Sequence, residues 1–234
     1  MTAYASLAQI LAGTLGPISA VAVAFMETPP AGVDRFEGTV PAGCSFWRLA
    51  ADGRSFYTVP ADHYNCPIGS YTHGIDLPEE RAGELGGTLE FMTGIGYIRS
   101  EEVPGIPRLA TAPAVTAYAP LAQTTVAPDV VIVKGPPGPL MRLQEAAARA
   151  GAASTLPLLG RPTCMALPAA MATGAVMSTG CVGNRVYTGL SDDELYLMIP
   201  GTRLADVVEQ LAVTEAANAT LADYHKGRRA TLSS

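Results

Sequence analysis

One segment of the chain, residues 161–185, constrains the fold most because its residue pattern changes twice. From Cys164 the segment is typical first of a helix and then of a strand, and it ends in the glycine-rich turn Gly180-Cys181-x-Gly183, which carries Arg185. Residues 44–66 contain a degenerate version of the same pattern between two further cysteines. We therefore expect helices and strands to alternate in both halves of the chain.

The two halves resemble each other beyond these segments. Each contains an apolar strand followed by a Pro-Pro loop, namely 21–25 before Pro29-Pro30 and 130–133 before Pro136-Pro137. Each then has a cysteine near a helix start, a strand, a Cys-x-x-(Gly/Asn) turn and a Tyr-Thr pair. We interpret this as an internal duplication about a pseudo-two-fold axis, which would bring all four cysteines to one interface. The chain is expected to form a single compact domain, 1–234, with two similar lobes of about 1–110 and 111–234.

The clearest strands are apolar throughout rather than alternating, which is typical of strands covered on both faces. The pattern predicts an α/β or α+β fold with a mixed central sheet and helices on both faces. The predicted helices cover 4–15, 44–53, 78–91 and 140–150, with one or two further helices over 204–222, and a turn covers 62–69. The predicted strands cover 18–25, 55–59, 115–120 and 129–134, and another follows the acidic turn 192–194.

The composition limits the classes of partner. Hydrophobic residues make up 48% of the chain and charged residues only 15%, so we expect extensive burial and a homo-oligomer. A net charge of -6 and a pI near 5.0 argue against nucleic-acid binding, which needs a basic face. The early apolar run Ile18–Met26 is shorter than the roughly 20 residues of a membrane span, and no basic signal region precedes it. We expect a soluble cytoplasmic protein with reduced thiols, and a small molecule or redox protein as partner.

The four cysteines are candidate metal ligands. No close Cys-x-x-Cys pair is present, which counts against structural zinc. An iron–sulfur cluster accepts thiolates from separate loops, and glycines near the sulfurs would leave room for its sulfides. The favoured function is a thiolate-metal protein, most simply iron–sulfur, with a redox or small-anion-activating role. The candidate ligands are Cys44, Cys66, Cys164 and Cys181, and the candidate surrounding residues are Arg48, Arg185 and His63.

Other interpretations of these residues stay open. All four cysteines could be ordinary buried residues. Alternatively, the protein is a metal-free small-molecule binder or a cysteine-dependent enzyme, in which His63 lowers the pKa of Cys66 and Asp62 orients the imidazole. His73 could be a metal ligand or a turn residue satisfied by the backbone. The arginines could bind an anion or form ion pairs with nearby carboxylates such as Asp192.

An ordered set of motifs resembles a known family across about residues 5–225. The motifs are Gly43-Cys44-Ser45 with Arg48, Asp62-His63-x-x-Cys66-x-x-Gly69, Pro128-Asp129 with Met141-Arg142, Arg161-Pro-Thr-Cys164, Gly180-Cys181-x-Gly183-x-Arg185 and Asp192-Asp193-Glu194-Leu195. Together they resemble domain of unknown function 169, found in bacteria and archaea. The resemblance implies a soluble single-domain protein whose motif cysteines cluster, and it implies no substrate.

Overall fold

A six-stranded sheet organises the fold in the computed structural model, which describes residues 2–156 and 158–232. Its strand order is β2-β3-β1-β4-β6-β5, and every pairing between these strands is antiparallel. The strands are β1 (Ser19–Met26), β2 (Phe56–Thr58), β3 (Val115–Pro120), β4 (Val130–Gly135), β5 (Val176–Ser178) and β6 (Leu195–Pro200).

Helices cover both faces of this sheet. The first face packs on α1 (Ala3–Leu15), α5 (Pro137–Arg149) and the start of α8 (Leu204–Leu232). The second face packs on α2 (Cys44–Ala51) and α6 (Ala166–Thr173). The remaining helices are α3 (Pro67–Thr72), α4 (Gly83–Gly94) and α7 (Val182–Thr188). Neighbouring residues of β1 therefore enter different cores, with Val21 and Val23 on the second face and Ala22 on the first, which explains why the strand is apolar throughout.

The sheet has a symmetric register about its centre. Ala22 of β1 faces Val131 of β4, and β3 and β6 flank this central pair. Val21 lies opposite Pro120 of β3, just as Val130 lies opposite Pro200 of β6. The strands β2, β3 and β1 on one side of the centre thus correspond to β5, β6 and β4 on the other. Gene duplication would explain this correspondence and stays a hypothesis.

The predicted fold class is confirmed, but the strand pairing differs from the expected mixed sheet. A strand–helix–strand unit normally places its two strands parallel and adjacent. Here β1 and β2 do run in the same direction, yet β3 returns between them with the opposite direction, and β6 does the same between β4 and β5. The chain pattern could not show the strand that is inserted later between each such pair.

Several predicted elements have different boundaries. The expected turn at 62–69 contains part of a 3₁₀ turn, Pro60–His63, and the start of α3. The helix expected from residue 78 begins at Gly83 after a separate 3₁₀ turn, and α5 begins at Pro137, before the expected residue 140. The C-terminal helix is continuous to Leu232. None of the helices within residues 2–156 and 158–232 is both long and apolar enough to cross a membrane.

Candidate functional site

All four cysteines lie where a helix starts. Cys44 is the first residue of α2, Cys66 is the N-cap of α3, and Cys181 is the N-cap of α7. Cys164 lies in the 3₁₀ turn Thr163–Met165, which leads directly into α6. Three of them are part of the core on the second face or pack against it. The fold therefore places these thiols at the positively polarised ends of separate helices.

The four thiols lie within electrostatic range of one another. Burial, followed by the charge of Cys66, raises the pKa of Cys44 to about 12, and Cys181 contributes to the rise. Burial also raises the pKa of Cys164 well above its usual value, with contributions from Cys66, Cys181 and Cys44. All four thiols are free, Cys44 is buried and the other three are half-buried, and we call these four residues the cysteine site.

Backbone N–H groups face two of the sulfurs. The amide of Gly69 donates to Cys66 Sγ at 3.3 Å, and the amide of Asn184 donates to Cys181 Sγ at 3.5 Å. Burial raises the pKa of Cys66, whereas the backbone N–H groups of Gly43 and Gly69 lower it. An N-cap side chain ordinarily accepts such a bond through oxygen. Here sulfur occupies that position, so the helix starts would stabilise negative charge on the thiolates.

Contacts between loops join the two halves at the cysteine site. The thiol of Cys164 points at the carbonyl of Ile68 in α3, with an Sγ to O distance of 4.0 Å. The backbone N–H of Cys181 donates to Thr163 Oγ1 at 2.5 Å. The first contact connects the halves, and the second fixes the positions of two cysteine-bearing turns relative to each other.

His63 is arranged differently from the imidazolium that the cysteine-enzyme alternative requires. Its Nε2 lies 2.9 Å from Thr58 Oγ1, whose hydroxyl donates to the carbonyl of Thr116. The ring proton therefore belongs on Nε2, and the buried Nδ1 has no hydrogen-bond partner among residues 2–156 and 158–232. Burial, followed by the charge of His73, lowers the pKa of His63 to about 3. A neutral imidazole bonded to threonine does not supply the cation that would activate Cys66.

Asp62 and His73 also have structural roles. Asp62 accepts the N–H of Val59 at 2.8 Å and pairs with Arg35 at 3.1 Å, so it does not orient His63. The buried His73 ends α3, and its Nδ1 lies 2.8 Å from the carbonyl of Gly69, as expected for a residue satisfied by the backbone. Its Nε2 has no partner in the described structure. The histidine rings are 5.6 Å apart.

The two candidate arginines bind main-chain carbonyls. Arg48 donates to the carbonyl of Thr188 at 2.7 Å and pairs with Asp52 at 2.8 Å. Arg185 donates to the carbonyls of Thr179 and Ser191, and it also pairs with an acidic residue, Asp192, at 3.2 Å. These bonds hold the ends of α7 in place. The ion pairs agree with the second interpretation of the arginines, in which they pair with nearby carboxylates and do not bind an anion.

Sequence reasoning missed several buried polar groups near the cysteines. The amide of Asn184 lowers the pKa of Cys44, although neither of its side-chain polar atoms has a hydrogen-bond partner with good geometry. Other buried polar atoms without a partner on this side of the sheet belong to Ser45, Trp47 and Tyr118. The Cys-x-x-(Gly/Asn) repeat contained a signal for Asn184, because that residue occupies the same place after Cys181 that Gly69 occupies after Cys66.

The spacing of the candidate ligands bears on what they could hold. Among residues 2–156 and 158–232, no three His, Cys, Asp or Glu side chains are gathered closely enough to hold one metal ion. Four thiolates on a tetrahedral zinc lie about 3.8 Å from one another, given Zn–S bonds of about 2.3 Å. A cluster of several irons has a larger surface and receives thiolates that are further apart.

Comparisons with known proteins identify a family without assigning an activity. No curated protein and no solved structure matches the chain. Residues 17–210 match the family described as "Uncharacterised ArCR", domain of unknown function 169, which covers most of the 234-residue chain. The chain therefore belongs to the domain of unknown function 169 family.

Proposed function

We propose that this protein is a thiolate-metal protein in which Cys44, Cys66, Cys164 and Cys181 hold an iron–sulfur cluster. The observation that carries the proposal is the meeting of four free thiols from four separate helix starts within mutual electrostatic range. Four neighbouring thiolates would repel one another without a cation. A bound metal group would offset this repulsion and stabilise the arrangement. Ligands from four separate helix starts suit a cluster better than a single structural zinc ion, whose cysteine ligands usually come in close pairs.

The residues around the cysteine site fit an anionic thiolate cluster. Such a cluster, when bound, accepts and releases one electron. The N–H groups of Gly69 and Asn184 point at sulfur, so they would stabilise added negative charge and raise the reduction potential. Burial of Cys44 would keep water from its sulfur, and Cys164 is half-buried beside the same core. We propose a redox role or the activation of a small anion.

The same geometry disfavours a cysteine-dependent enzyme. A nucleophilic thiol needs a lowered pKa and partial exposure. Burial instead raises the pKa values of Cys44, Cys66 and Cys164. His63, the expected activating cation, is neutral and bonded to Thr58.

We further propose a cytoplasmic location, a redox protein or small molecule as partner, and a homo-oligomer. Four free thiols suit a reducing compartment. Support for an interface comes from α7, where Val182 and Val186 lie one turn apart and are 62% and 72% exposed.

Alanine substitution of each cysteine tests the proposed function. We expect Cys44→Ala, Cys66→Ala, Cys164→Ala and Cys181→Ala to lose most of the iron bound by the wild-type protein after anaerobic purification. The matched control is Val133→Ala, a similar truncation in the core on the opposite face. It should lose stability and keep its iron. Equal iron content in all five variants would contradict the assignment of these ligands.

A further inference from the structure

A cleft of about 300 Å³ lies on the same face of the sheet as the cysteine site. Its floor includes Val21 of β1 and Ile132 of β4, and Trp47 and Tyr196 contribute aromatic rings that meet edge to face at 5.8 Å. This size is at the small end of natural ligand pockets, and an apolar floor with aromatic walls is typical of them. The cleft therefore suits a small organic molecule.

Two helices connect the cysteine site with this cleft. Helix α2 begins at Cys44 and contributes its last turns to the cleft, and α7 begins after Cys181 and ends there at Thr188. Burial raises the pKa of Tyr196, and the charge of Cys44 adds to that rise. Tyr196 thus lies within electrostatic range of a cysteine and also lines the cleft.

Three side chains of the cleft lining have N–H groups beyond those used in hydrogen bonds within the protein. Arg48 uses Nε for Asp52 and one Nη for the carbonyl of Thr188, which leaves further N–H groups. Lys134 has three N–H groups and a single acidic partner, Glu194, at 3.2 Å. The buried indole N–H of Trp47 has no acceptor in the described part of the chain. Each of the two cations has one carboxylate partner, Asp52 for Arg48 and Glu194 for Lys134, and each keeps N–H groups that could donate to an anion in the cleft.

We propose that this cleft is a binding site for a small organic carboxylate with an aromatic or apolar body. The carboxylate pairs with Lys134 and the remaining N–H groups of Arg48, and the apolar body lies over Val21 and Ile132. None of the four cysteines lines the cleft, so the proposal does not depend on a metal at the cysteine site.

Ligand-detected NMR with benzoate as the probe tests this site. We expect saturation transfer from the wild-type protein to benzoate, and weaker transfer to benzamide and benzylamine, which lack the negative charge. The variant Lys134→Gln should bind benzoate about tenfold more weakly, because the charge-assisted bond between Lys134 and the carboxylate is lost. The matched control is Lys226→Gln, since Lys226 also has one acidic partner, Asp223 at 2.8 Å, and is exposed on α8. It should bind as the wild type does.

A second variant guards against misfolding of the first. Ala51→Phe adds bulk at the cleft wall and leaves both cations in place, so it should abolish benzoate binding. The metal-free Cys181→Ala protein should still bind benzoate, which separates this proposal from the proposed function. The site is overturned if the wild type shows no transfer to benzoate, or if Lys134→Gln and Ala51→Phe both bind it as well as the wild type.

Discussion

The backbone packs closely against the sulfur of Cys66, and Gly69 shows this most clearly. A Cβ added at Gly69 would lie 2.9 Å from Cys66 Sγ, closer than ordinary van der Waals contact allows. We predict that Gly69→Ala displaces this sulfur and lowers the iron content of the purified protein by more than half. Iron analysis under anaerobic conditions measures the effect.

The matched glycine control lies in α4. A Cβ at Gly86 would meet nothing within 4 Å, so Gly86→Ala should keep its iron and gain about 0.5–1 kcal/mol of stability from helix propensity. A Gly69→Ala protein with wild-type iron content would show that Cys66 is not a ligand.

We predict that burial of His63 makes the stability of the fold sensitive to acid. Its pKa is lowered to about 3 by burial, whereas an unfolded histidine titrates near 6.5. The unfolded state therefore binds the proton first, so the stability present above pH 6.5 is lost as the pH falls toward 3. Between pH 6.5 and 4.5 one such histidine removes about 2 kcal/mol from the free energy of unfolding.

Urea unfolding of metal-free protein at pH 7 and pH 4.5 measures this loss. His63→Gln should show a clearly smaller decrease than the wild type, and the control His225→Gln, at an exposed residue of α8, should resemble the wild type. An unchanged acid dependence in His63→Gln would contradict the buried neutral imidazole.

The sequence identified the important residue types but not their local partners. The cysteines and their nearby glycines were predictable because a sulfur beside backbone amides needs space. The roles of His63 and Asp62 were not, because they depend on Thr58 and Arg35, which come from separate parts of the chain. Proximity along the chain to Cys66 therefore suggested a catalytic pair that the tertiary contacts do not form.

Among the secondary-structure elements, α8 has a sharp change in burial along its length. Leu211 is fully buried against the first face of the sheet, whereas Leu221 is 55% exposed. We predict that Leu211→Ala costs about 2–5 kcal/mol of unfolding free energy and that Leu221→Ala costs less than about 0.5 kcal/mol. Thermal or urea denaturation compares the two, and similar losses would contradict the observed packing of the helix.

Element positions were largely predictable, and strand neighbours were not. Continuous apolar runs indicated β1 and β4 because both faces of the sheet are covered. The return of β3 between β1 and β2 depends on long-range pairing, to which the residues of β1 and β2 give no guide. The helix α3 was missed because it is short and begins with the unusual combination of a cysteine N-cap and a proline.

For the molecule as a whole, titration of the thiols makes the stability of the fold depend on pH in the alkaline range and on bound metal. Burial, followed by the charge of Cys66, raises the pKa of Cys44 to about 12, compared with about 8.5 in an unfolded chain. The folded metal-free protein therefore retains its proton longer, so the stability present below pH 8.5 is lost as the pH rises toward 12. We predict that the melting temperature of metal-free protein falls between pH 8 and 10.

Metal-loaded protein offers the comparison, because its thiolates are already deprotonated. Its melting temperature should change less over the same pH range and should exceed that of the metal-free protein at each pH. Identical pH profiles for the two forms would contradict thiol titration within the cysteine site.

Cysteines from both halves of the chain lie in the core on the second face or pack against it, so the cysteine site draws on both halves. The most direct test combines a visible spectrum with iron and acid-labile sulfide analysis of anaerobically purified protein. We predict brown protein with equal iron and sulfide, about four of each per chain for a [4Fe–4S] cluster. Colourless protein without iron or sulfide, both as purified and after incubation with ferrous iron and sulfide, would contradict the proposed function.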